Sequence, residues 1–127
     1  MGNKALYPET RTNVAGCKLL YAQILPNGSS TPTLGENSGK VISSVAWSAT
    51  GVLIATLSDT YVAAGAFTQL QLATAADTFV QVKSFTAATT KLLTLDIMTG
   101  GSLADIAANA GNIIHVFIVV RDGSTTA

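Results

Sequence analysis

Charge is the first thing this chain lacks. Asp, Glu, Lys and Arg make up 11% of its 127 residues, seven of each sign, for a formal net charge of zero. An average soluble domain carries about 25%. No net charge draws the chain to a phosphate backbone or an anionic membrane, so neither nucleic acid nor a membrane is expected as a partner. Cysteine is scarce too. Cys17 stands alone, which excludes an intrachain disulfide; within GCKLLYAQIL it is expected to fill a small apolar position. Aromatic residues are 6% of the chain, with no basic stripe of interleaved aromatics on which bases would stack. No run reaches the roughly 20 consecutive apolar residues of a membrane-crossing helix. MGNKALYPETRTNVAG has no apolar segment of the signal-peptide kind. What is plentiful is hydrophobicity, at 48%, enough for one core in a chain of this length. A small surface with so little charge resists association poorly, which points to an assembled state.

The apolar residues recur mostly with period two, the mark of strands with one dry face. CKLLYAQIL (17–25) is the first candidate, ending in the turn-rich PNGSSTPTLGENSG (26–39), where Asn27-Gly28 and Glu36-Asn37 suit tight turns. KVISSVAWSATGVLIATLS (40–58) reads as a hairpin turning at SATG. DTYVAAGAF (59–67) reads as a link with one helical turn. FTQLQLAT (67–74) sets Phe67, Gln69 and Gln71 against Thr68, Leu70 and Leu72, and TFVQVKSF (78–85) alternates likewise. KLLTLDIMT (91–99) places Leu93, Leu95 and Ile97 inward and Thr94, Asp96 and Met98 outward. GGSLADIAANAGN (100–112) is expected to be a loop with one helical turn. The last strand, 113–120, is apolar on both faces, which predicts a central strand between two packed layers. The expected fold is all-β: a single antiparallel β-sandwich or jelly roll of about seven or eight strands. Residues 1–16 form an extended N-terminal arm and 17–127 the sandwich domain.

Chemistry is harder to find. His115 is the only histidine. As a metal ligand it would need companions at ligand spacing, and as a general base it would need a nucleophile and an orienting group. Cys17 and the scattered carboxylates supply no such spacing, so His115 is expected to be a packed, hydrogen-bonded or interface residue. The carboxylates Glu9, Glu36, Asp59, Asp77, Asp96, Asp105 and Asp122 occur singly. GENSGKV lacks P-loop spacing and leads into a strand where a P-loop leads into a helix. Trp47 ends a strand beside a turn and is expected in the core or at a subunit interface. No catalytic residue, metal ligand or cofactor site emerges, and the chain is not expected to be an enzyme.

The order of landmarks carries a resemblance: Thr50-Gly51-Val52 in a hairpin, Leu57 to Asp59 and Tyr61 in a link, Asp105 to Asn112 in a loop, Val116 to Arg121 in a last strand. Over residues 41–124 this resembles the small capsid decoration, or cement, proteins of tailed bacteriophages. The resemblance implies a β-sandwich or jelly roll that oligomerises and binds the outside of a capsid, with no enzyme activity and no cofactor. The implied partners are the major capsid protein and the chain itself, as a homotrimer ahead of a homodimer. The implied location is the virion exterior, after assembly in the host cytoplasm. Leu6, Tyr7, Pro8, Arg11 and Trp47 are the candidate capsid or subunit contacts. A tail or fibre module recognising a host glycan or receptor is the alternative.

Overall fold

Alternation decides which residues are covered. A computed structural model describes residues 17–37 and 40–121 and contains nine strands: β1 (Cys17–Leu25), β2 (Thr33–Asn37), β3 (Ile42–Ala49), β4 (Val52–Leu57), β5 (Ala63–Gln71), β6 (Thr78–Thr86), β7 (Leu92–Thr99), β8 (Ser102–Leu103) and β9 (Ile113–Arg121). All pairings between strands are antiparallel. The first sheet has the order β2-β1-β9-β5, and the second β3-β4-β7-β6 with the short β8 beside β7. The two pack as a β-sandwich, as the turn spacing and alternation predict. The core is wholly apolar. Ala22 and Ile24 of β1 and Ile114, Val116, Ile118 and Val120 of β9 meet Leu53, Ala55 and Leu57 of β4 and Leu93, Leu95 and Ile97 of β7. No polar or charged residue is buried among the described residues. Burying each of the Ile, Leu and Val side chains contributes roughly 1.5–3 kcal/mol.

Three expectations change. Residues 26–39 are not all loop, because Thr33–Asn37 pairs back onto β1, with a register shift between Ala22 and Ile24. Glu36-Asn37 is therefore strand and not turn, whereas Asn27-Gly28 does turn, with Gly28 at φ 59°. The link after Leu57 is shorter than read and holds no helical turn. Ala63 already pairs with Arg121, so AAGAF belongs to β5. Residues 100–112 also lack a helical turn. Leu103 pairs with Met98 in β8 and is exposed, while Ile106 alone tucks into the core. In both segments small residues and glycine hide the alternation, and the ladder to a distant strand decides.

β3 shows why strict alternation fails. Val41, Ile42 and Val45 are all buried, which period two forbids. A register shift between Ile42 and Ser44 inserts a residue and restores the inward direction at Val45. At the end of β3 the half-buried Trp47 packs against the core, and its Nε1–H donates to the Ser30 carbonyl at 2.9 Å. The indole thus ties the β1–β2 loop across to the second sheet. The side chain of Cys17, Asp122 and the arm residues Leu6, Tyr7, Pro8 and Arg11 lie outside what the structure describes.

Candidate functional site

The outward face of the first sheet gathers the residues that sequence periodicity left unexplained. β9 lies between β1 and β5, so it is central within its sheet, as expected. It is not central between two layers. Ile114, Val116, Ile118 and Val120 face the core at 0% exposure, whereas Phe117, on the other side, is 38% exposed. Among the described residues no second layer covers that side.

Cross-strand register arranges this face in rungs. Leu19 stands beside Val119 and Val119 beside Gly65. The next rung is Tyr21, Phe117 and Phe67, and the next Gln23, His115 and Gln69. Ile113 and Gln71 close the set. At the other end the rung of Cys17, Arg121 and Ala63 brings the one formal charge on the outward positions of these strands, Arg121. Phe67 is 65% exposed, the most open of the large apolar residues among those described. Tyr21 and Phe117 pack with ring centroids 5.0 Å apart.

His115 is bound on both sides. Its Nδ1 lies 2.5 Å from the Tyr21 hydroxyl, and its Nε2 lies 2.9 Å from Gln71 Oε1. Gln23 Nε2–H donates to the Tyr21 hydroxyl at 2.9 Å, and Gln23 Oε1 accepts the Glu36 backbone N–H at 3.2 Å. Since the Gln71 oxygen can only accept, Nε2 carries the ring proton and Nδ1 accepts from Tyr21. The imidazole therefore links β1, β9 and β5 in one hydrogen-bonded row. This agrees with the expectation of a hydrogen-bonded residue. Its two ring partners are a phenol and an amide, neither of them a carboxylate or a nucleophile beside a base. Removing the Tyr21 hydroxyl should leave Nδ1 short of a donor: Tyr21→Phe is expected to cost about 1 kcal/mol in urea unfolding and to shift the His115 ring nitrogen resonances.

The second sheet also has an apolar outward rung, Phe79, Met98 and Leu103, with Phe79 and Leu103 exposed. Beside it Asp96 stands between Val52 and Gln81. Asp96 Oδ1 is shielded from solvent and meets no hydrogen-bond donor.

A cleft of about 210 Å³ opens at one end of the sandwich, between the 72–78 and 105–112 segments. Its Asp and Asn side chains are already engaged. The Asn112 side chain accepts from Ala73 N–H at 2.9 Å and donates to the Ala107 carbonyl at 3.0 Å. Asn109 Oδ1 accepts the Gly111 N–H, and Asp105 Oδ1 the Gly51 N–H, each at 2.9 Å. These residues hold loops together. Among the described residues no three His, Cys, Asp or Glu side chains converge as a metal site would need.

Of the five candidate contact residues, only Trp47 lies within the described residues, where it closes the side of the sandwich. The outward rungs were missed as a site. Their signal in the sequence was the second apolar set of the last strand, Ile113, Phe117 and Val119. No protein-family model, curated protein or solved structure matches the chain.

Proposed function

We propose that the chain is a structural virion protein that decorates the outside of a bacteriophage capsid as a symmetric oligomer, bound to the major capsid protein. One observation carries this reading: apolar side chains stand exposed on both outward faces of a single charge-poor sandwich. Leu19, Phe67 and Phe117 mark one face, and Phe79 and Leu103 the other. Large exposed apolar patches mark contact sites. A module with one on each side can hold a copy of itself and a shell at once. Many weak contacts on a repeating lattice then add through multivalency.

Host recognition is the weaker reading because the exposed aromatics, Phe67, Phe79 and Phe117, lie on strands. A glycan or receptor tip would place them on the end loops. In the decoration reading the chain is not an enzyme and needs no cofactor. In this reading its arm residues Leu6, Tyr7, Pro8 and Arg11 contact the shell or a neighbour.

Co-sedimentation of the purified chain with undecorated shells of a tailed-phage major capsid protein tests this. Saturable binding at a symmetry-fixed stoichiometry is expected, weakened at least about tenfold in a Leu6→Asp, Arg11→Glu double variant and in Phe79→Asp. No co-sedimentation at any concentration overturns the reading.

A further inference from the structure

We infer that the outward face of the first sheet is the contact between two copies of this chain, related by a two-fold axis, with Phe67 of each copy seated over Gly65 of the other. The inference deepens the decoration reading by naming what covers this face, and it rests on that reading only for what the dimer serves.

Gly65 is the starting observation. It sits inside β5, in an unbroken register from Ala63 to Gln71, where glycine weakens a strand. Its own fold does not call for glycine: its φ is not in the left-handed range, and a Cβ there would meet nothing within 4 Å. Among the described residues no bulge, turn or neighbouring side chain explains the missing Cβ. The remaining reason for a strand glycine is close approach by something beyond the described residues, and the second copy of this face supplies it. Two residues along the same face stands Phe67, the most exposed large apolar side chain among those described. A hole and a knob therefore lie side by side.

The neighbouring strands repeat the offset. The rung at Gly65 is small and aliphatic: Leu19, Val119, Gly65. The rung at Phe67 is aromatic throughout: Tyr21, Phe117, Phe67. Take an axis lying in the contact plane, perpendicular to the strands, at the level of Leu20, Ile118 and Ala66. It places each aromatic rung over the aliphatic rung of the other copy. Three large side chains then meet three smaller positions, twice. This is the self-complementarity that an isologous contact demands, residue i meeting j while j meets i. The one formal charge on the outward positions of these three strands, Arg121, lies in the end rung with Cys17 and Ala63; the axis sets it over His115 of the other copy and not over its own counterpart, so no like charges face each other across the two-fold.

The area fits a dimer that dissociates on dilution. Three strands at about 4.8 Å spacing, each nine residues long at about 3.3 Å per residue, give a flat footprint of roughly 14 by 30 Å. That is about 420 Å² per copy, roughly 840 Å² in total, within the size range below ~1,200 Å² where weak, transient contacts lie. The two-fold geometry puts a homodimer ahead of the homotrimer that the resemblance implies.

The test is sedimentation of the full-length chain across a concentration series, with the fold of each variant checked by circular dichroism. The wild type is expected to pass from dimer to monomer on dilution through the micromolar range. Gly65→Phe, which sets Phe against Phe, and Phe67→Gly, which sets hole against hole, are each expected to weaken the dimer at least about tenfold. The double variant exchanges knob and hole and keeps their complementarity, so it is expected to recover most of the wild-type affinity. A wild type that stays monomeric at high concentration, a stable trimer, a single variant that associates as well as the wild type, or a double variant that fails to recover each overturns the pairing. No capsid enters this measurement, so loss of the dimer and loss of shell binding are separate results.

Discussion

Gly51→Ala is expected to destabilise the fold by about 3 kcal/mol, read as a fall in the urea midpoint with the slope unchanged. Two costs combine. Gly51 turns the β3–β4 hairpin at φ 71°, a left-handed conformation that costs an L-residue about 1–2 kcal/mol. An added Cβ would also stand 2.6 Å from the Ala104 nitrogen and 2.8 Å from the Ile97 carbonyl oxygen. Both are backbone atoms of neighbouring segments, so neither can swing away. Relief would have to break hydrogen bonds that lock the turn in place. Gly51 N–H donates to Asp105 Oδ1 at 2.9 Å, Ile97 N–H donates to the Gly51 carbonyl at 2.7 Å, and Ala104 N–H donates to the Ile97 carbonyl at 3.0 Å. One glycine thus joins the β3–β4 turn, the middle of the second sheet and the 100–112 segment. A loss under about 1 kcal/mol would show that the segment after β8 yields easily.

The second large effect separates neighbours on β9. Ile118→Ala is expected to cost about 3–4 kcal/mol, because Ile118 is 0% exposed at the centre of the core and its loss leaves a cavity between the sheets. Phe117→Ala, one residue earlier, is expected to cost only about 1 kcal/mol in a dilute sample. There Phe117 faces outward and gives up mainly its ring contact with Tyr21. Chemical denaturation of both variants below micromolar concentration reads the difference. Similar losses at the two sites would mean that something in the monomer covers the outward face. The ordering also separates folding from association, since Phe117 lies on the face assigned to the dimer and Ile118 does not.

Much of this fold was legible residue by residue. Leu93, Leu95 and Ile97 against Thr94, Asp96 and Met98 came directly from alternation, and β7 buries them in that order. The hairpin at Thr50-Gly51 was likewise visible, since its turn residues sit between two runs of β-forming residues. β2 and the start of β5 were not. TLGEN carries turn-type residues and AAGAF almost no side-chain contrast, so neither segment advertises a face. They are strands because β1 and β9 offer open backbone groups to pair with. The candidate site was legible in fragments only. His115 was placed on the Ile113, Phe117 and Val119 face by parity. Its partner Tyr21 lies 94 residues away and Gln71 44 away, separations at which the sequence holds no cue.

What the sequence determined alone is local. Period-two patterning names the strands and their inward sets, and the scarcity of charge leaves apolar surface uncompensated, because both depend on a residue and its near neighbours. The tertiary structure decided what depends on pairing. It set the order β2-β1-β9-β5 and the register that aligns Phe67 with Phe117 and Tyr21. It also left one of the two apolar faces of β9 without a covering layer among the described residues. A strand's backbone accepts any partner of suitable length, so the choice among partners is made by the whole core at once. The aromatic rung and the gap at Gly65 exist only after that choice.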